Sequence, residues 1–388
     1  MEKLRDEFMD VFGNGDIKPR EFFAPGRVNL IGEHTDYNGG SVFPCALSFG
    51  TYAVARMRED KKIKFYSKNF EKLGIIECDL ENLVYDESQD WANYPKGVVK
   101  IFKDHGFEIN SGFEILFYGE IPNGAGLSSS ASIELATSVV LKGLFQLDVG
   151  MIEMVKMSQE AENKFVGVNC GIMDQFAIGM GKKAKAVLLD CNTLKYEYAP
   201  VELGEASIVI ANTNSRRGLA DSKYNERRSE CERALAQLQK KLNVKTLGEI
   251  SIEEFEANKN IIENETDRKR AKHAVYENQR TLMAFESLKA GDIKKFGELM
   301  NESHISLRDD YEVTGGALDT LVELAWKAEG TIGSRMTGAG FGGCTVSIVK
   351  NENIEEFIKN VGAEYKGKIG LTAEFYIADI GDGARELI

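Results

Sequence analysis

The spacing of hydrophobic residues predicts both helices and strands in the first half of the chain. Leu4, Phe8, Met9 and Phe12 recur at helical intervals, which indicates an amphipathic helix over residues 1–12. Other stretches alternate hydrophobic and polar positions or form short hydrophobic runs, as strands do. These patterns predict strands at residues 41–58, 61–66, 113–118 and 186–189, and further helices at residues 128–145 and 151–165.

The pattern breaks near residue 200. Residues 199–205 contain a proline, a glycine and two acidic residues, so we place a domain boundary there. One domain is expected over residues 1–200 and a second over residues 201–388. The second is expected to contain strands at 207–211, 345–349 and 372–378, helices at 317–328 and 353–361, and a highly charged helical region at about 220–305. Strands and helices alternate without regular βαβ spacing, which favours the α+β class.

Composition excludes several classes of protein. The 388 residues include 48 basic and 61 acidic ones, and the net charge of −13 disfavours nucleic acid and anionic membranes as partners. Six cysteines form no CxxC pair and four histidines no HExxH, so neither a disulfide framework nor a zinc site is expected. No apolar run reaches the roughly 18 residues of a membrane span, and the N-terminus lacks the apolar stretch of a signal peptide. We therefore expect a cytoplasmic protein.

The first of four polar motifs covers residues 24–40. It places one arginine, two carboxylates, one histidine and two asparagines within seventeen residues and is bracketed by glycines. Such a mixture of hydrogen-bond donors and acceptors suits a ligand with many hydroxyl groups. A polar turn with solvated charges is the alternative interpretation.

The second motif, residues 120–132, follows a predicted strand and leads into a predicted helix. A glycine-rich turn before a helix N-terminus presents free N–H groups and the positive end of the helix dipole, which together bind anions. Capping explains at most one of the serines at 128–130, although a capped helix with a serine-rich first turn is the alternative. The chain contains no GxxxxGK(S/T) pattern, so this is not a Walker A loop.

The third motif, residues 167–176, surrounds Asp174 with hydrophobic residues and glycines. Partial burial can tune such a carboxylate to act as a general base. Glu162, on the preceding predicted helix, is a possible ligand for magnesium, which prefers oxygen. Taken singly, Asp174 is more often a helix cap and Glu162 more often a solvated charge.

The fourth motif, residues 337–344, formally contains GxGxxG. A dinucleotide-binding fold requires a strand, then the glycines, then a helix, whereas here the glycines precede a strand. We therefore reject a dinucleotide site. A glycine loop closing over a phosphate site fits better, and a tight hairpin is the alternative.

Three further residues are weaker candidates. Ser67 follows a predicted strand, Trp91 has an indole that can stack on a nucleobase, and Tyr224 lies at the start of a very polar helical stretch. A lone tryptophan is usually part of the core, and an exposed tyrosine is unremarkable without context.

Together the four motifs resemble those of the GHMP small-molecule kinase superfamily. The second and fourth motifs alone indicate only this superfamily, whereas residues 26–40 with residues 171–175 are similar to its galactokinases. The order and separation of the motifs fit over essentially the whole chain. The resemblance implies two α+β domains, the first S5-like and the second ferredoxin-like, with the active site between them.

The resemblance also implies roles for individual residues. Asp174 matches the catalytic base and Arg27 the residue that stabilises the transition state. The residues that match sugar contacts are Glu33, His34, Thr35, Asp36, Gly171 and Tyr224. Nucleotide contacts are matched by Ser67, Trp91, Gly124, Ala125, Gly126, Leu127, Ser128, Ser129 and Ser130. Ser130 and Glu162 match the magnesium ligands.

The implied reaction is transfer of the γ-phosphoryl group of ATP to the anomeric hydroxyl of α-D-galactose, the first committed step of the Leloir pathway. Galactose and ATP are then the partners, Mg²⁺ the cofactor, and a monomer is expected. Two alternatives stay open. A related sugar kinase, for example one acting on N-acetylgalactosamine, could share the motifs. A non-catalytic sensor of sugar and ATP is the other, although a sensor needs no base at Asp174.

Overall fold

The computed structural model describes residues 2–122, 125–215 and 220–387. Helices and strands are mixed as expected for the α+β class. The first half contains α1 (Glu2–Phe12), β1 (Arg20–Asn29), β2 (Ser41–Val42), β3 (Pro44–Met57), β4 (Lys62–Ser67), β5 (Ile76–Asp79), α2 (Asn93–Asp104), β6 (Phe113–Gly119), α3 (Ser129–Phe145), α4 (Met151–Glu160), α5 (Met173–Met180), β7 (Lys185–Asp190) and β8 (Tyr196–Pro200). The second half contains β9 (Ala206–Asn212), α6 (Ala220–Leu238), α7 (Ile252–Asn258), α8 (Glu265–Lys289), α9 (Ile293–Ser306), α10 (Gly316–Lys327), β10 (Thr331–Thr337), β11 (Cys344–Lys350), α11 (Ile354–Ile369), β12 (Glu374–Ala378) and β13 (Arg385–Leu387).

The larger sheet has helices on both faces. Its strand order is β13-β1-β3-β6-β4-β5, with β4 and β6 parallel and the other neighbours antiparallel. Successive strand residues point to opposite faces. Val54 and Leu116 therefore pack against α1, whereas Ala53 and Phe117 face the core formed with α2 to α5. A separate small sheet, β2-β7-β8, lies beside the end of the first motif.

The second sheet, β12-β9-β11-β10, is antiparallel throughout. Counted from β9, its strands follow the order of a ferredoxin-like domain, with α6 to α10 in the first crossover and α11 in the second. One face packs against α10 and α11. The other face shares a hydrophobic core with the first half of the chain, in which Ile210 and Ile348 join Leu30 and Phe43. The two halves are therefore held together by a common core.

The largest difference from the predicted elements is β1. Residues 24–29 lie in this strand, although they belong to the segment interpreted as a polar, glycine-bracketed motif. Because β1 is buried on both sides, its sequence lacks the alternation that indicates a half-buried strand. Pro25 and Gly26 further obscure the pattern, and the pairing with β3 shifts register between Pro25 and Arg27.

Other boundaries also differ from the predicted ones. The helix predicted at 151–165 ends its α-helical part at Glu160 and continues as a π-helical turn, Ala161–Val166. α11 continues beyond residue 361 to Ile369, where Gly370 ends it in the left-handed conformation. The boundary predicted near residue 200 falls between β8 and β9 and stays a prediction, while β13 returns to pair with β1. In the described part of the chain, no helix is long and apolar enough to cross a membrane.

Candidate active site

The first and third motifs meet in a buried ion pair. Arg27 near the end of β1 donates from Nε to Oδ1 of Asp174 at 2.8 Å and from Nη2 to Oδ2 at 2.9 Å. Its remaining Nη1 donates to the carbonyl of Gly126 at 2.7 Å, which brings in the second motif. Arg27 is only 4% exposed, whereas the Asp174 side chain is 28% exposed. The carboxylate is thus oriented by the arginine and still accessible to a ligand.

No side chain in the described part of the chain caps the N-terminus of α3. Ser128, which precedes the helix, has a left-handed backbone (φ 62°) and directs its hydroxyl to Oδ2 of Asp174 instead. The first N–H groups of this 17-residue helix therefore remain available to an anion. Ala125 and Leu127 are buried in the shared core. Gly124 lies outside the described residues, so its predicted contact with ATP stays a prediction.

Glu33 connects the first motif to the fourth. Its Oε1 accepts a hydrogen bond from the backbone N–H of Gly338 at 2.8 Å and lies 3.3 Å from Nη1 of Arg335. Thr35 also makes its bonds within the protein, since Oγ1 lies 2.9 Å from the carbonyl of Gly32 and 2.7 Å from that of Ser41. These two side chains fix the shape of the segment that carries Asp36.

His34 uses both ring nitrogens in contacts with the protein. Because a carbonyl oxygen can only accept, Nε2 donates to the carbonyl of Ala339 at 3.2 Å. Nδ1 then accepts from the hydroxyl of Tyr37 at 2.8 Å, and Tyr37 in turn accepts from Tyr311 at 2.7 Å. Burial, together with nearby positive charge, lowers the pKa of His34 to about 3, so the ring is neutral at neutral pH. His34 thus fastens the glycine-rich fourth motif over the first.

Asp36, Gly171 and Tyr224 lie close together. A Cβ atom at residue 171 would overlap the carboxylate of Asp36, so only glycine fits there. Burial and the charge of Asp174 raise the pKa of Asp36 to about 7. The ring of Tyr224, from α6, lies 5.6 Å from that of His34 and 5.2 Å from that of Tyr37. Residues from both halves of the chain therefore meet beside Asp36.

Glu162 lies in the π-helical turn that continues α4. Its Oε2 accepts from Nε2 of Gln175 at 2.7 Å and from the thiol of Cys170 at 3.5 Å, and the nearby hydroxyl of Ser130 acts to lower the pKa of the carboxylate. Burial and the charge of Asp174 raise the pKa of Glu162 to about 7. Within the part of the chain that is described, no cation pairs with this carboxylate. A buried carboxylate without a cation is suited to binding one.

Magnesium fits this arrangement. The described residues contain no cluster of three or more histidine, cysteine or acidic side chains that could enclose a metal. Mg²⁺ does not need such a cluster, since it keeps several waters and takes one or two protein oxygens together with phosphate oxygens. Ser130 and Glu162 offer such oxygens beside the N-terminus of α3.

Ser67 and Trp91 lie away from the Arg27–Asp174 pair. Ser67 ends β4, which β3 and β6 separate from β1, and its hydroxyl accepts from the backbone N–H of Asn69. Trp91 is 7% exposed and stacks on Phe70 with ring centroids 6.3 Å apart. The indole N–H has no partner among the described residues. Their predicted contacts with the nucleotide stay predictions.

Comparison with known proteins shows which family the chain belongs to. The chain matches the galactokinase galactose-binding signature over residues 6–57, the GHMP kinase N-terminal domain over 93–182 and the GHMP kinase C-terminal domain over 284–367. It is 66% identical to the galactokinase of Fusobacterium nucleatum, with 99% of each chain covered. Identity with the galactokinase of Bacillus subtilis is 58%, covering 100% of this chain and 99% of the relative.

The chain belongs to the galactokinase family. Its structure is similar to that of Lactococcus lactis galactokinase complexed with galactose, with a TM-score of 0.97, 54% identity, and 100% and 99% of the two chains covered. Mevalonate kinase of Methanococcus jannaschii is 20% identical with a TM-score of 0.66, covering 95% and 100% of the two chains, and shows a likeness of fold alone. The two-domain GHMP kinase fold implied by the motifs is thereby confirmed.

Two buried residues support the first motif of this galactokinase-family protein but were not predicted from the sequence. Glu277, on α8, accepts from the backbone N–H groups of Gly32 and Glu33 at 3.0 and 3.3 Å. Arg335, on β10, donates to the carbonyl of Asn29 at 3.1 Å. Glu277 lies in a highly charged helix, where one acidic residue does not stand out. Only its burial distinguishes it, and that depends on tertiary structure.

Proposed function

We propose that the protein is a magnesium-dependent galactokinase that transfers the γ-phosphoryl group of ATP to the anomeric hydroxyl of α-D-galactose, giving α-D-galactose 1-phosphate and ADP. The observation that supports this best is the Arg27–Asp174 pair, which lies between a pocket of hydroxyl-binding groups and an uncapped helix N-terminus. Phosphoryl transfer depends mainly on positioning and charge neutralisation. This site supplies both.

Asp174 is proposed to accept the proton of the anomeric hydroxyl. Its two oxygens are held by Arg27 and Ser128, so the carboxylate has one fixed orientation toward the pocket. Arg27 neutralises charge on the phosphoryl group as it moves. Because Arg27 is anchored on Gly126, it stays beside the phosphate end during the reaction.

Asp36 and Tyr224 are proposed to bind ring hydroxyls of the sugar, with Gly171 allowing the ring to approach the backbone. Glu33, His34 and Thr35 contribute to sugar binding mainly by fixing the conformation of the segment that carries Asp36, since their side chains hydrogen-bond to other residues of the protein. The raised pKa of Asp36 indicates that this carboxylate is only partly compensated before a ligand binds.

Residues 124–130 are proposed to bind the triphosphate through the N–H groups at the start of α3, with Ser67 and Trp91 contacting the nucleoside. Ser130 and Glu162 would hold Mg²⁺, which would neutralise negative charge on the phosphates. Arg27, whose Nη1 donates to the carbonyl of Gly126, is the positively charged side chain that the first motif contributes beside the proposed phosphate loop. A monomer in the cytoplasm completes the proposal.

The test is an ADP-release assay with a panel of sugars and identification of the product by ³¹P NMR. Galactose and glucose differ only at the C4 hydroxyl. A site built around a hydroxyl can reject its misplaced isomer by roughly 10⁴–10⁵, because buried polar groups are left unpaired. We expect a strong preference for galactose. A preference for N-acetylgalactosamine would instead indicate the related sugar kinase, and sugar binding without ADP release would indicate the sensor.

Asp36→Ala tests the assignment of the sugar pocket. It should lower kcat/KM for galactose far more than for glucose, so the ratio between the two sugars narrows. Asp190→Ala is a suitable control, since among the described residues that carboxylate bonds to the nearby residues 192 and 193 alone. An unchanged ratio in Asp36→Ala would remove its role in discrimination while leaving the reaction itself assigned.

A further inference from the structure

The amide of Gln175 joins two buried carboxylates. Gln175 follows Asp174 on α5 and is fully buried. Its Nε2 donates to Oε2 of Glu162 at 2.7 Å and to Oε2 of Glu134 at 3.0 Å. Both hydrogens of the amide are therefore directed at carboxyl oxygens. Neither Gln175 nor Glu134 has a part in the chemistry described above.

The burial of Glu134 is unfavourable for the stability of the folded protein. It lies on α3 with no exposed surface, and burial together with the charge of Glu162 raises its pKa well above the usual value. Its Oε1 and the Oε1 of Gln175 make no hydrogen bond with any described residue. Burying such an atom without a partner costs about 1–3 kcal/mol. For packing alone a hydrophobic residue would be more stable, which indicates a function for the carboxyl group.

That function follows from the direction of the Gln175 amide. A glutamine side chain presents donors on one side and an acceptor on the other, and a flipped amide would turn its oxygen toward Glu162. With an acceptor at Glu134, the flipped amide would oppose oxygen to oxygen at both carboxyl groups. Glu134 therefore favours the orientation in which Gln175 donates to Glu162.

We infer that Gln175 and Glu134 are positioning residues for the carboxylate of Glu162, Gln175 by holding Oε2 and Glu134 by fixing the orientation of the Gln175 amide. The inference rests on the proposed role of Glu162 as a magnesium ligand. Mg²⁺ requires near-ideal octahedral geometry, so a freely rotating carboxylate would bind it less well. Outer partners that orient metal ligands typically contribute about 10–100-fold in metal affinity.

The experiment compares the affinity for the non-hydrolysable nucleotide AMP-PNP in Mg²⁺ with the affinity in EDTA, by calorimetry. Gln175→Met keeps the length of the side chain but cannot donate. It should weaken binding about 10–100-fold in Mg²⁺ and leave binding in EDTA and galactose affinity nearly unchanged. Glu134→Met should act in the same direction, and Glu134→Gln, whose amide can donate as well as accept and so no longer selects one orientation of Gln175, should give a loss between those of wild type and Glu134→Met.

Gln159→Met is the matched control, because that amide lies in the same region but donates to the carbonyl of Cys170 at 3.3 Å. Equal losses in Mg²⁺ and EDTA, or unchanged binding in Gln175→Met, would overturn the inference. If Gln175→Met does not fold, Gln175→Asn withdraws the amide by one methylene and should give the same selective loss. If Glu162→Ala binds AMP-PNP in Mg²⁺ as tightly as wild type does, the proposed metal site is wrong. That result is distinct from one in which Glu162→Ala weakens binding but Gln175→Met does not, which would overturn only the positioning role of Gln175.

Discussion

Glu277 and Glu162 are both buried glutamates near the active site, yet their pKa values move in opposite directions. Glu277 lies beneath the sugar-binding segment. Although burial alone raises its pKa, the charge of Arg280, 2.8 Å from Oε2, and other donors lower it to about 2. Glu162 lies at the phosphate end, where burial and the charge of Asp174 raise its pKa to about 7. The protein compensates one charge fully and the other only in part.

The opposite pKa shifts distinguish a carboxylate that stabilises the fold, Glu277, from one that is proposed to bind a ligand, Glu162. Glu277 accepts hydrogen bonds from Gly32, Glu33 and Ser303 and pairs with Arg280, so its bonding capacity is satisfied without any ligand. Glu162 receives only neutral donors among the described residues. A buried charge that the protein leaves uncompensated is a candidate for interaction with a cation. The protein thus compensates Glu277 by itself, whereas Glu162, like Asp36 in the first motif, has no compensating cation among the described residues.

The largest expected effect concerns Asp174, which does not fit either class. It is paired with Arg27 like a structural carboxylate but remains partly exposed like a functional one. Asp174→Asn should lower kcat by about 10²–10⁴-fold, because asparagine cannot accept the proton. Galactose affinity measured by calorimetry should change little. Near-normal turnover would remove the role of base and favour transfer assisted by Arg27 alone.

The next effect concerns the stability conferred by Glu277. Glu277→Gln should lower the free energy of unfolding by about 3–5 kcal/mol at neutral pH, since it breaks a buried ion pair. Because the pKa of Glu277 is lower in the folded protein than in the unfolded chain, its charge stabilises the fold at pH values above the unfolded pKa of 4.5. That stabilisation is lost as the pH falls toward the folded pKa of about 2. The difference from wild type should therefore shrink between pH 5 and pH 3.

Urea titrations at several pH values measure this difference. Glu286→Gln, at an exposed position on the same helix, is the control and should change stability by less than about 0.5 kcal/mol. A pH-independent difference would mean that Glu277 acts through packing and not through its charge.

The smallest of the three effects concerns magnesium. Ser130→Ala and Glu162→Ala should raise the Mg²⁺ concentration for half-maximal rate by about tenfold or more, while galactose affinity stays similar, because Mg²⁺ has only one or two protein ligands. Rates measured over a magnesium titration decide this. Curves that superimpose on wild type for both variants would show that Ser130 and Glu162 do not hold the metal.

The sequence alone predicted the four motifs, but it did not predict the buried residues that hold them in place. Elements with one exposed face, such as α1, could be located because their hydrophobic residues recur at a helical or alternating period. β1 could not, because it is buried on both faces. Arg27 and Asp174 were expected to lie close together from the resemblance, and the structure pairs them.

The supporting residues were not predicted because their roles depend on contacts between distant parts of the chain. Glu277 and Arg335 reach the first motif across 245 and 306 positions, respectively. No local pattern marks either residue. The hydrogen bonds that join Glu134, Gln175 and Glu162 likewise form only when α3, α5 and the π-helical turn pack together.

Thermal unfolding of Glu162→Gln and Glu277→Gln, with and without Mg²⁺ and AMP-PNP, tests the contrast most directly. Both variants replace one buried carboxylate by an amide of the same size. The account predicts that unliganded Glu162→Gln unfolds at the wild-type temperature or higher and loses the additional stabilisation that Mg²⁺ gives with the nucleotide. Glu277→Gln should unfold several degrees lower and keep that additional stabilisation. Glu162→Gln unfolding as early as Glu277→Gln, with the magnesium effect intact, would contradict the account.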